Sequence, residues 1–209
     1  MLDAALLLLR GVSGGLLVGH GAQKVFGTFE GPGPEGTRGI MQMLRMQPPH
    51  IWGHAAGLSE LVGGSLTALG ALSPIGPITS IAPMVMATTT AHWGKPIWVT
   101  KGGAELPVIN MATFAALAMT GPGKYSVDAA LGIKVPRWMV GLTIAGVTAG
   151  TVVALATRAP AEPQPAQVED EREREAVAAA AAASEEREVE LHASRDDAAR
   201  RRTEASRPA

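Results

Sequence analysis

Residues 4–26, 51–72, 75–93 and 138–157 are each a long run of mostly apolar residues, and a shorter run covers 106–120. About 18 to 20 such residues cross the hydrocarbon layer of a bilayer as one helix. The expected fold class is therefore all-α, a polytopic membrane helix bundle with four or five crossings. The shortness of the 106–120 run leaves the count open.

The connections divide the bundle further. "SPIGP", between the second and third runs, stops one helix and forces a tight reversal into an antiparallel partner. The Gly- and Pro-rich "GTFEGPGPEG" is expected to stay irregular until Thr37. From there "TRGIMQMLRM" suits a short interfacial helix, with Met and Leu toward lipid and Arg38 and Arg45 toward headgroups. "GPGKYSVDAALGIKVPR" is expected to be a polar connection before the last run. Small residues in "GGLLVG", "GHAAGLSELVGG" and "GVTAG" are spaced for close helix contact, as packing in lipid favours. With five spans, Lys24, Arg38, Arg45, Lys95, Lys101 and Arg158 fall on one side and Lys124, Lys134 and Arg137 on the other. The positive-inside rule then places the tail in the cytoplasm.

Charge is placed unevenly. Residues 1–159 carry ten of the 18 Lys+Arg and six of the 19 Asp+Glu, leaving eight and thirteen for the last fifty positions. The stretch 159–209, which contains them, reads as an Ala/Glu/Arg-rich tail, partly helical or disordered. It has opposite charges at helical spacing and no continuous apolar stripe. A docking element for a soluble partner is the alternative. The chain has no cysteine, which excludes disulfides, thiol redox chemistry and thiolate metal sites. The N-terminus begins with Asp3 in place of a basic segment and is read as a retained membrane helix.

The informative residues are ionisable groups inside the apolar runs, because charge at membrane depth tends to face a bundle interior or an aqueous cavity. On the first run Arg10 and Lys24 lie about 40° apart around a helix, and His20 about 40° beyond Lys24. In the second run Glu60 lies near the middle, on the face that carries Gly53, Gly57, Gly64 and Thr67. Its expected counter-charge is Arg10 or Lys24, depending on depth. Snorkelling to the surface is the simpler fate for Arg10 and Lys24, and interfacial hydrogen bonding for His20 and His92. His92 ends the third run, and Glu105 opens the fourth, where a carboxylate suits a helix N-terminus. No second histidine at matching depth supports haem, no ligand spacing supports a metal, and "GPGPEG" lacks the features of a nucleotide phosphate loop. Haem, metal, nucleotide and nucleic acid are accordingly not expected.

Four segments taken together carry a resemblance. "LLRGVSGGLLVGHGAQKVFG", "GPGPEGTRGIMQML", "GLSELVGGSLTALGAL" and "KGGAELPVINMATFAALAMTGPGKYSVDAALG" resemble, in order and spacing, the DoxX family of small bacterial membrane proteins, over about residues 7–132. The matching motif positions are Arg10, His20, Gly21, Gln23, Lys24, Gly33, Gly36, Glu60 and Glu105. The resemblance implies a four-helix membrane bundle over 1–132, with 133–158 as an added fifth transmembrane helix. It also implies a place in the bacterial plasma membrane and a link to redox metabolism. Members are described as subunits of thiosulfate:quinone or terminal quinol oxidoreductases, or are associated with oxidative stress and quinone detoxification.

On that basis the expected site is a quinone and proton cluster of Glu60, His20 and Lys24, with Arg10, Gln23, His92 and Glu105 as further cofactor-binding candidates. A separate protein would deliver electrons, which makes the chain a subunit and not a complete enzyme. Expected partners are membrane lipid, a redox or oxidative-stress protein and a further copy of the chain. Two other classes compete: a non-catalytic scaffold that recruits a cytoplasmic partner through the tail, and a small transporter or proton pathway. The transporter has little support, since no inverted repeat is evident.

Overall fold

The computed structural model describes residues 1–160 and Arg174, and the expectations for the rest of the tail lie outside the described residues. Met1–Pro160 forms one unit. Among the described residues every regular element is a helix: α1 (Leu2–Phe26), α2 (Gly33–Met43), α3 (Pro49–Leu69), α4 (Ile75–Thr90), α5 (Glu105–Thr120), α6 (Val127–Leu131) and α7 (Arg137–Ala156), with a single 3-10 turn at Val99–Lys101. The five apolar runs become α1, α3, α4, α5 and α7. Of these, α1 and α7 are each long and apolar enough to cross a membrane, and α5 is a shorter apolar helix. At about 1.5 Å per residue, α1 is roughly 37 Å long and α7 roughly 30 Å.

The distribution of side chains is inverted relative to a water-soluble bundle. Leu8, Val12 and Leu16 on α1, Ile109 on α5, and Leu142, Ile144 and Val152 on α7 are exposed, whereas Arg10, Glu60, Thr67, Ser80 and Asp128 are buried. Exposed apolar surface of this extent marks a face that meets lipid or protein. The apolar core proper is small: Leu6, Leu17, Met84, Phe114 and Leu117, with Ile81 and Met111 packed against it.

Packing runs α1 on α3, α3 on α4 and α4 on α5, with α1 meeting α5 to close the ring; α2 lies over α3 and α1, and α7 packs on α4. The α1–α3 contact depends on glycine. A Cβ on Gly14 would come within 2.7 Å of the Gly64 carbonyl oxygen, and one on Gly64 within 2.8 Å of that of Gly14. No side chain larger than hydrogen fits there, so the backbones touch and gain dispersion contact. The neighbouring Gly15 and Gly19 face open space, as do Gly146 and Gly150 of "GVTAG", so only part of the expected small-residue spacing serves helix contact.

Three local expectations change. Helix α2 begins at Gly33, four residues before Thr37, because Pro34 falls in the first turn, where a helix needs no N–H from it. Helix α4 ends at Thr90, and residues 91–93 leave it in a turn. The connection after α5 contains α6, capped by the Ser126 hydroxyl, which accepts from the Ala129 N–H at 3.2 Å, and stopped by Gly132 at φ 68. Reversal at each connection gathers Lys24, Arg38, Arg45, Lys95, Lys101 and Arg158 at one end of the bundle and Lys124, Lys134 and Arg137 at the other. Contacts fix this grouping. Gly57 of α3 packs on Lys24, Arg158 reaches the end of α4, and Asp3 of α1 pairs with Lys124.

Candidate functional site

Lys24 lies in the last turn of α1 and Glu60 in the middle of α3, where the antiparallel crossing brings them level. A Cβ on Gly57, one turn before Glu60, would meet Val25 Cγ2 at 2.8 Å and Lys24 Cβ at 3.2 Å, so this glycine lets α1 settle against α3 beside the carboxylate. The Lys24 ammonium donates to Glu60 Oε2 in an ion pair whose side chains are 22% and 8% exposed, respectively. Of the two expected counter-charges, depth selects Lys24. Arg10 shares its stripe but sits 14 residues earlier, about 21 Å along the helix.

The pair forms part of the wall of a cleft of about 410 Å³ between α3, α4 and α7. Ser59 and Trp52 of α3, Thr79, Pro83 and Met86 of α4, and Val147, Thr151 and Ala154 of α7 line it. Helix α2 roofs it with Ile40 and Met41, followed by Leu44 and Met46. The apolar side chains expected to face lipid from this helix are therefore mostly turned inward, with Met43 left exposed. The lining is apolar apart from the ion pair and a few hydroxyls. At one end Arg158 joins the walls: its Nε donates to the Leu44 carbonyl at 2.9 Å and its guanidinium reaches the Thr90 carbonyl at 3.5 Å, while the Ala159 N–H donates to Arg45 at 2.8 Å.

The other expected site residues are elsewhere. His20, one turn before Lys24, is exposed and does not line the cleft. Gln23 Nε2 donates to the Phe29 carbonyl at 3.4 Å and packs on Gly31, shaping the α1–α2 turn. His92 Nδ1 lies 2.7 Å from the Gly102 carbonyl, and Glu105 Oε2 accepts from the Val99 N–H at 2.8 Å. Both fold the α4–α5 connection. Arg10 donates to the carbonyls of Ala68 and Tyr125. Nearby, buried Asp128 accepts from the N–H groups of Leu72 at 2.8 Å and Ser73 at 2.7 Å. Asp128 and the α7 wall did not emerge as functional from sequence reasoning. For Asp128 the available signal was a Ser cap and a terminal Gly around "SVDAALG", and for α7 it was the small residues of "GVTAG".

The model of the DoxX family matches residues 5–93. This segment is similar to a DoxX domain. It contains α1 to α4, hence both partners of the ion pair and three of the four helices around the cleft; the fourth, α7, lies beyond the matched residues. DoxX is a family of helical membrane proteins, and the inverted side-chain distribution and two apolar spans agree with it. Comparison with curated proteins and comparison with solved structures return no match.

Proposed function

We propose that this DoxX-like protein is a multi-pass plasma-membrane subunit that binds a quinone in the α3–α4–α7 cleft for a redox or oxidative-stress partner. The observation that carries the reading is the cleft itself: about 410 Å³ of largely apolar space with one part-buried ion pair in its wall. Such a volume is ordinary for a small-molecule site, and a few convergent polar groups in an apolar pocket are what orient a ligand. A quinone supplies a reversible uptake of two electrons and two protons, and its ring and prenyl chain suit an apolar slot.

The chain's own residues divide that work. Lys24 offers N–H donors to a carbonyl oxygen and holds negative charge that develops there. Glu60 takes up and returns protons at the same wall. The Thr79 hydroxyl adds a donor, and Met41, Met86 and Val147 exclude water from the ring. Electrons come from a separate protein, because the chain contains no cysteine to relay them. The cation-rich end, which includes Arg158 at the head of the tail, faces the cytoplasm.

Titration of the purified full-length protein in detergent with menaquinone and ubiquinone tests this. Saturable binding is expected for wild type and a loss of about tenfold or more for Glu60→Gln, with helical content unchanged. Absence of binding to folded wild type, or binding indifferent to Glu60→Gln, overturns the reading and leaves a scaffold in its place.

A further inference from the structure

The α4–α5 connection, residues 91–104, exposes Trp93 at 79% and Trp98 at 60%, and leaves Ile97 and Val99 just under half exposed. Such a display of apolar side chains in a turn needs a reason, and flexibility is not available as one. The Glu105 N–H donates to the Ile97 carbonyl at 2.9 Å, its carboxylate accepts from Val99, and Gly103 donates to the Trp98 carbonyl at 3.0 Å. His92 closes the other side on Gly102. The turn is thus stapled through His92 and Glu105, and its indoles are held outward.

Two lysines share this turn. Lys95 Nζ donates once, to the Ala91 carbonyl at 2.9 Å, and lies close to Gly102, next to Lys101. An ammonium has three donors, so most of this capacity is unspent. Among the described residues neither lysine is in an ion pair, and the acidic groups at this end are engaged elsewhere: Glu60 with Lys24, Glu35 with Arg38, and Glu105 with the Val99 N–H. Glu30, on the α1–α2 turn, is the remaining one.

We propose that this turn binds the phosphates of anionic phospholipids. Continuity favours a bilayer over a protein partner: the exposed Trp98, Ile97 and Val99 run directly into exposed Leu106 and Ile109 of the apolar helix α5. The turn therefore sits at headgroup depth, where indole rings are at home and lysine is drawn to acidic lipid. Trp93 and Trp98 rest against the acyl boundary, and Lys95 and Lys101 take the phosphates. The inference stands independently of the quinone reading.

The test is native mass spectrometry of the full-length protein from uncharged detergent, titrated with phosphatidylglycerol or phosphatidylcholine, with inorganic phosphate as a separate competitor. Wild type is expected to prefer phosphatidylglycerol, and Lys95→Gln/Lys101→Gln to lose about thirtyfold, roughly fivefold per lysine. Lys101→Gln alone, which removes no hydrogen bond of the turn, is expected to lose about fivefold. Lys134→Gln, at the opposite end, is expected to keep the preference. Equal binding of the two lipids by wild type overturns the proposal. So does a preference that survives in the double variant with unchanged circular dichroism, or full competition by millimolar phosphate, which would indicate a soluble-anion site.

Discussion

Two polar clusters sit on the same helix, and they are built differently. Around Arg10 the partners are backbone groups: the guanidinium serves the carbonyls of Ala68 and Tyr125, and the Asp128 carboxylate serves the N–H groups of Leu72 and Ser73. The Asp128 N–H returns a bond to the Gly70 carbonyl at 3.1 Å, and the adjoining void is only about 10 Å³, the room of one water molecule. Around Lys24 the partners are two side chains, paired with each other beside about 410 Å³ of open cleft. Buried charge in the first cluster satisfies the C-terminal end of α3, where a helix leaves carbonyls without partners, and backbone groups of the connections that follow α3 and α5. In the second, charge is left facing space that a ligand can enter. Charge held within one bundle thus goes to opposite uses.

The largest effect should separate them most sharply. Arg10→Ala removes a buried guanidinium and strips its hydrogen bonds from the Ala68 and Tyr125 carbonyls, and is expected to cost about 3 kcal/mol or more of stability, read as a fall in the melting temperature in detergent. Glu60→Gln should do the reverse, losing quinone while keeping most of its melting temperature, since the amide still accepts from Lys24. A Glu60→Gln protein that melts as early as Arg10→Ala would erase the distinction between the clusters. Next comes Arg158→Ala, which frees the end of α7 from Leu44 and Thr90; quinone dissociation is expected to quicken about threefold, on the order of one neutral hydrogen bond. Stopped-flow release would measure it, and an unchanged rate would remove α7 from the site. Smallest is His20→Ala, expected to change neither stability nor binding because the ring lies outside the cleft. A loss of quinone in that variant would mean the cleft extends around α1.

Much of this was legible beforehand. Run length predicted each main helix, since hydrophobic length is a property of consecutive residues. Glu60 was correctly turned inward because a carboxylate on a glycine-rich face has no better place in lipid. The grouping of six cations against three followed from counting reversals. The start of α2 was misplaced because Pro34 was read as a breaker, although its position in a first turn makes it a helix former. His20 was expected beside Lys24 from the shared stripe and the DoxX resemblance, yet at the bundle's edge its side chain is exposed outside the cleft.

The sequence by itself determined that the described bundle is all-helical and suited to a membrane, where its helices run and which charges must find partners. Those are consequences of local periodicity and of the cost of charge in lipid. Which partners they found was decided only in the tertiary structure, because Arg10 and Lys24 share one stripe of α1 and their depth against α3 selects between them. The cleft belongs to the same class. It is formed by α3, α4 and α7 under the roof of α2, and α7, far along the chain, completes it only by packing against α4.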